Sequence, residues 1–349
     1  MWRAPSLDHL VALSDDVGVA QHAVHDVPNR REGYCTDDVA RAFIVATSAA
    51  AHDFARETAL RLARTYLAFL LDAQRDDGRF HNFMSYARTW LDDVGTPDSN
   101  GRALWSLGVG MRFAPHESWR VVCADRIERA LPHVGELGFV RSRAYASLGL
   151  VHAFEARERR HRGIETTLRE IAGELVRSHA ASATPDWDWF ETELTYDNAR
   201  LPEALLRIGT VLEDRALVAL GMRTLYFYER LCVEDGTFVP IGNAGWYRRG
   251  GARARYAQQP LEAASLVDAA LAAEAAGGDQ RYRRLAECGL EWFYGRNSRS
   301  VVMAAEGGCY DGLEELGPNR NMGAESTLAY LASAFALAQS SAGALRIAR

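Results

Sequence analysis

The sequence predicts an all-α fold of the (α/α)6 toroid class, with six inner and about six outer helices and short β-hairpin loops at one mouth. Three observations predict it. Six times, a small polar cluster runs straight into an apolar, alanine-rich segment. Successive clusters lie roughly 45 to 65 residues apart, which is room for two helices and their loops. Longer amphipathic segments alternate with the apolar ones, as two concentric layers of helices require.

The elements follow in chain order. A helix near 5–14 supplies one outer position. The cluster Thr36-Asp37-Asp38-Val39-Ala40-Arg41 starts the inner helix 37–50. In the outer helix 53–74, Phe54, Leu60, Leu62, Ala63, Leu67, Leu70 and Leu71 recur close to the helical period among Arg and Asp. Asp77-Gly78 then marks a turn with β-compatible flanks. Asp98-Ser99-Asn100-Gly101-Arg102-Ala103 starts inner helix 99–112, and 117–132 is its outer partner. Arg141-Ser142-Arg143-Ala144-Tyr145 leads 142–156, followed by 163–178. Tyr196-Asp197-Asn198-Ala199-Arg200-Leu201 leads 198–211, followed by 213–231 and a second Asp-Gly turn at Asp235-Gly236. Gln258-Gln259-Pro260-Leu261-Glu262-Ala263 leads 260–276, followed by 279–294. The last start, Asn321-Met322-Gly323-Ala324-Glu325-Ser326, opens 323–338. No Pro/Ser-rich linker or charge run interrupts the chain, so 1–349 is expected to form one domain.

Composition narrows the function. The chain has 349 residues, 48% hydrophobic and 25% charged, and its net charge of -6 comes with interspersed signs. A basic nucleic-acid face is not expected. Cys35, Cys123, Cys232, Cys288 and Cys309 are odd in number and widely spaced, which argues against a disulfide framework or zinc site. The ten histidines form no metal spacing, so neither metal nor cofactor is expected. The start Met1-Trp2-Arg3-Ala4-Pro5 lacks an apolar leader core, and no apolar run reaches membrane-spanning length. A cytoplasmic protein with no membrane partner is expected, and self-association as a homodimer stays open.

Six polar helix starts at one mouth would concentrate hydrogen-bonding groups where a polyhydroxylated ligand could use them. Three share a carboxylate followed one turn later by arginine: Asp38 and Arg41, Asp98 and Arg102, Asp197 and Arg200. Helix capping would also explain each singly, because Asp and Asn are good caps. The segment Trp187 to Asp197 sets two indoles and a phenyl ring beside four carboxylates. There Trp189 is expected to stack on a sugar, unless the indoles merely plug a loop. Glu191, against aromatic rings, is expected to serve as general acid. Asp38, Asp98 and Asp197 are candidate bases. Tyr34, Asp37, Arg41, Asn100, Arg102, Arg143, Tyr196, Asn198, Arg200, Trp246, Gln259, Tyr310, Asp311, Asn321 and Glu325 are candidate substrate contacts.

The strings Gly33-Tyr34-Cys35-Thr36-Asp37-Asp38, Leu194-Thr195-Tyr196-Asp197-Asn198-Ala199-Arg200 and Gly323-Ala324-Glu325-Ser326-Thr327 carry a resemblance. The chain resembles a bacterial helical-toroid domain, often assigned as the C-terminal part of glycosyltransferase-like proteins in oligosaccharide-processing loci. It departs from that pattern at Val39, where Asn is expected. The resemblance implies an (α/α)6 fold shared with many glycoside hydrolases. The expected function is therefore hydrolysis of a neutral oligosaccharide by two carboxylates. By analogy with inverting enzymes, these would stand ~6.5–9.5 Å apart. Sugar epimerase or isomerase, polysaccharide lyase and a non-catalytic carbohydrate-binding partner of a glycosyltransferase are the alternatives. Epimerases want histidine bases, which the helix starts lack. A lyase would draw on the basic loop Arg248 to Arg255.

Overall fold

The computed structural model describes residues 5–156 and 162–347, with side chains to 340. The start Met1 to Ala4, on which the leader expectation rests, lies outside the described residues. The fold is all-α, of the (α/α)6 toroid class. Twelve α-helices are described: α1 (Asp8–Leu13), α2 (Thr36–Ala51), α3 (Arg56–Ala73), α4 (Pro97–Phe113), α5 (Glu117–Ala130), α6 (Val140–Ala156), α7 (Arg162–Ser182), α8 (Arg200–Val211), α9 (Arg215–Cys232), α10 (Pro260–Ala275), α11 (Gln280–Phe293) and α12 (Ala324–Ile347). The even-numbered helices are the apolar ones. Long stretches of α2, α4, α6, α8 and α10 are buried on all sides, while α3, α5, α9 and α11 bury one stripe.

The strands are short antiparallel pairs: β1 (Ala23–Val24) with β2 (Val27–Pro28), and β3 (Tyr34–Cys35) with β4 (Phe83–Met84). Further on, β5 (Glu193–Leu194) pairs with β8 (Tyr247–Arg248), and β6 (Val233–Glu234) with β7 (Thr237–Phe238). Last come β9 (Ala304–Ala305) with β10 (Gly308–Cys309), and β11 (Gly312–Glu314) with β12 (Gly317–Asn319). The expected Asp-Gly hairpin joins β6 to β7, with Asp235 at φ 49° and Gly236 at φ 72°. Both values are left-handed, as a two-residue hairpin turn of this type demands.

The chain divides into two compact units, Leu7–Gly173 and one that begins at Glu174. In the first, α4 and α6 lie almost backbone to backbone. A Cβ on Gly108 would sit 2.1 Å from the Gly149 carbonyl oxygen, and one on Gly149 would sit 2.1 Å from that of Leu104. Only glycine permits this approach. It sets the N-terminal ends of α4 and α6 side by side, with Asp98 against Ser142. In the second unit, Gln258 and Leu313 exchange both backbone hydrogen bonds, and Ser326 Oγ donates to the Cys309 carbonyl at 3.0 Å. These ties hold the β9–β12 hairpins beside the starts of α10 and α12.

Capping differs from expectation in a way that matters for chemistry. The cap of α4 is Thr96, whose hydroxyl accepts from the Ser99 N–H at 3.2 Å, with Pro97 as the first helical residue. The cap of α2 is Cys35, whose sulfur accepts from the Asp38 N–H at 3.4 Å. Asp37, Asp38 and Asp98 therefore sit inside the first turns and are not spent as caps. The helix dipole favours their negative charge there.

Candidate functional site

In the first unit the helix starts bring five predicted residues together. Asp37 is gripped from two helices: Arg102 Nε of α4 lies 2.7 Å from Oδ1, and Arg41 of α2 lies 3.2 Å from Oδ2. Arg41 also donates to Asp38 Oδ1 at 3.0 Å. Cys35 Sγ donates to Asp38 Oδ2 at 3.1 Å. Burial, then the charges of Asp38 and Asp37, hold the Cys35 thiol well above its ordinary range, so it stays a protonated donor. Arg102 is clamped in turn by the buried Tyr145, donating to its hydroxyl at 2.8 Å. Asp98, one turn before Arg102, is half-buried and accepts from the Ser142 hydroxyl. The result is three carboxylates on the first turns of α2 and α4, with two guanidiniums one turn further along. Asp37 keeps 25% of its side chain exposed.

Three predicted contacts in this unit have other roles. Tyr34 is buried and donates its hydroxyl to Asp15 at 2.5 Å, because neighbouring strand residues alternate faces and its neighbour Cys35 takes the side of Asp38. Asn100 accepts from the Phe80 N–H at 2.9 Å and donates to the carbonyls of Gly95 and Thr96 at 3.3 Å and 3.0 Å. It ties two loops together. Arg143 donates to the carbonyls of Leu137 and Gly135, closing the turn that precedes α6.

In the second unit the predicted cluster turns inward. Trp189 is fully buried, with ring centroids 5.3 Å from Phe190, 6.1 Å from Phe227 and 5.8 Å from Tyr228. The expectation that it stacks on a sugar is therefore overturned. An aromatic-rich loop beside a hydrophobic outer helix buries its rings, which is the plug the sequence also allowed. Trp187, 3% exposed, is part of the same plug. Asp197, Asn198 and Arg200 are buried as well. Arg200 donates to Glu203 at 2.6 Å and to Asp268 at 2.7 Å, and lies 3.4 Å from Asp197. Burial opposes the charge on Arg200, but Glu203, Asp268 and Asp197 outweigh it and keep it protonated. Half-buried positions remain for Glu191, Tyr196, Trp246, Gln259, Tyr310, Asp311, Asn321 and Glu325. The indole of Trp246 donates to Asn243 Oδ1 at 2.9 Å. Gln259 and Glu325 stand at the starts of α10 and α12, with Tyr310 and Asp311 on the link between the two hairpins anchored there and Asn321 between β12 and α12.

The basic loop is mostly committed internally. Arg249 donates to the Ser182 carbonyl at 2.6 Å, and Arg253 and Arg255 both grip Glu234 at 2.7 Å. It is a structural brace.

Glu262 was missed in the sequence because its role depends on the residues across from it. From the first turn of α10 it accepts the N–H of Asp197, the Asn198 amide at 3.1 Å and the Tyr228 hydroxyl at 2.7 Å. It thereby holds Asp197 at φ 49°, a left-handed conformation uncommon outside glycine. Burial, reinforced by the charge of Asp197, raises the Glu262 carboxyl to about 7 from 4.5. The sign of the linkage follows. A carboxyl raised in the folded state favours folding fully below its unfolded value, and that contribution is lost as pH rises through about 7. The loss amounts to about 3 kcal/mol. Glu262→Gln does not titrate. Thermal unfolding at pH 5 and pH 8 should thus show the variant gaining on the parent at the higher pH. A difference between the two proteins that is the same at both pH values would contradict this.

Among the described residues, no group of three or more His, Cys, Asp or Glu is placed to hold a metal ion, and no helix is long and apolar enough to cross a membrane. All five cysteines are buried and free.

No family model and no curated protein sequence matches the chain. Solved structures do. Cellobiose 2-epimerase from Bacillus thermoamylovorans superposes with a TM-score of 0.73 at 14% identity, over 95% of each chain. A sugar epimerase from a ruminal bacterium gives 0.71 at 13% identity, over 94% of each chain. An α-mannanase of glycoside hydrolase family 76 from Bacteroides thetaiotaomicron gives 0.67 at 9% identity, over 96% of this chain and 95% of that one. At such identities the likeness shows the shared toroid fold.

Proposed function

We propose that the protein is a carbohydrate-active enzyme that hydrolyses a glycosidic bond of a neutral oligosaccharide. The observation that carries this reading is the pair Asp37 and Asp98. Both are partly exposed carboxylates in the first turns of neighbouring inner helices, neither is used as a cap, and Arg102, one turn after Asp98 on α4, reaches Asp37. Glycoside hydrolysis needs one carboxylic acid to protonate the leaving oxygen and one carboxylate as base or nucleophile. We assign the proton-transfer role to Asp98, which is half-buried at the start of α4 and accepts the Ser142 hydroxyl of α6. Asp37, gripped by two guanidiniums, suits the role of the ionised partner, with Asp38 behind it.

Epimerisation is the competing chemistry, since epimerases and hydrolases both occur among the structural neighbours. No histidine occupies the first turn of any inner helix, which favours hydrolysis. The test is product analysis. Neutral oligosaccharides incubated with the protein should yield new reducing ends, with the released anomer read by NMR. An epimerised sugar with every glycosidic bond intact would sink the hydrolase reading.

Glu191 is the alternative acid. If it serves, Glu191→Gln should slow hydrolysis of a natural oligosaccharide far more than that of an aryl glycoside with a good leaving group, which needs less protonation. Equal rates for variant and parent on both substrates would leave the proton transfer to the Asp98 cluster.

A further inference from the structure

Phe83 is a large apolar side chain left 41% exposed on β4. Its place is set by register. Phe83 lies directly opposite Cys35 in the β3–β4 pair, and side chains of directly opposed residues leave the ribbon on one face. On that face the Cys35 sulfur touches Asp38. Leu91, 66% exposed, donates its N–H to the Phe83 carbonyl at 2.8 Å and extends the same apolar surface.

The loop carrying Phe83 is fastened to the carboxylate cluster. Asn82 accepts from the Thr36 N–H at 2.8 Å through its carbonyl and from the Asp37 N–H at 3.4 Å through its side chain. Asp92 fixes the other flank, accepting from the Asn82 N–H at 2.9 Å. The backbone that carries the exposed phenyl ring is thus tied to the start of α2, where Asp37, Asp38 and Arg41 lie. A pyranose makes the matching demand, with an apolar C–H face for an aromatic ring and a rim of hydroxyls for carboxylates and guanidiniums.

We propose that Phe83, with Leu91 beside it, is the stacking platform of a pyranose-binding subsite next to the Asp37–Asp38 pair. The subsite belongs to the activity proposed above and rests on that reading for its catalytic meaning, though not for binding. Its occupant is one neutral sugar ring of the oligosaccharide.

The experiment measures binding separately from turnover. Titration calorimetry with gluco- and manno-oligosaccharides uses the parent protein, Phe83→Ala, Phe83→Leu and Phe83→Trp, each checked for an unchanged unfolding midpoint. Phe83→Ala should weaken binding about ten- to a hundredfold. Phe83→Leu keeps the apolar bulk without the ring and should also lose affinity, whereas Phe83→Trp should keep it. Parent-like affinity in Phe83→Ala overturns the subsite even if the protein proves to be a hydrolase. Loss of affinity in a protein that binds sugar but cleaves nothing upholds the subsite and defeats the hydrolase reading. A parent that binds none of these sugars, or a Phe83→Ala change that alters self-association alone, overturns the proposal.

Discussion

Asp98→Asn should lower turnover on a neutral oligosaccharide by about 10²–10⁴-fold while leaving the fold intact. The size is that of losing a positioned proton-transfer group. The fold survives because the cap of α4 is Thr96, and because an asparagine oxygen still accepts the Ser142 hydroxyl. Asp98 is a cleaner probe than Asp37. Removing the charge of Asp37 leaves Arg41 and the nearly buried Arg102 short of a counter-ion, so stability falls along with activity. Initial rates of reducing-end formation, paired with circular dichroism melts, provide the check. An Asp98→Asn protein that keeps more than a tenth of the parent rate would remove Asp98 from the chemistry.

Trp189→Ala should destabilise the protein by about 3–5 kcal/mol, the range for deleting a large buried ring. Trp189 is fully buried among Phe190, Phe227 and Tyr228, so truncation opens a cavity in a shared aromatic cluster. Trp189→Phe should cost much less. The indole N–H is buried without a hydrogen-bond partner, and phenylalanine removes that unsatisfied donor while keeping an aromatic face. Chemical denaturation of both variants measures the losses. KM of the folded Trp189→Phe protein should match the parent, since the ring has no surface to offer a substrate. A raised KM at unchanged stability would restore the stacking role.

Much of the architecture was legible in the sequence. Apolar runs such as Ala263 to Ala273 and striped ones such as Leu62 to Leu70 report burial directly, through helical period and charge spacing. The turn at Asp235-Gly236 was legible because left-handed backbone needs particular residues. Helix starts were less so. Thr96 and Cys35 cap α4 and α2 where Asp and Asn looked the better caps. That choice of caps has a functional consequence, because it leaves Asp37, Asp38 and Asp98 available for chemistry.

The sequence by itself determined the helical hairpin repeat and the placing of Asp37, Asp38, Arg41, Asp98 and Arg102 in the opening turns of their own helices. Both follow from periodicities that each segment carries alone. Only the tertiary structure decided which polar residues face outward. Trp189, Asn198 and Arg200 read like a binding site yet are buried among partners supplied by α9 and α10, whereas Phe83, at the end of the loop that opens with Asp77-Gly78, is exposed on the strand paired with Cys35. Glu262 shows the same limit, since its raised carboxyl depends on burial and on Asp197, 65 positions away. Burial and cross-chain pairing are properties of the assembled core, and no local pattern encodes them.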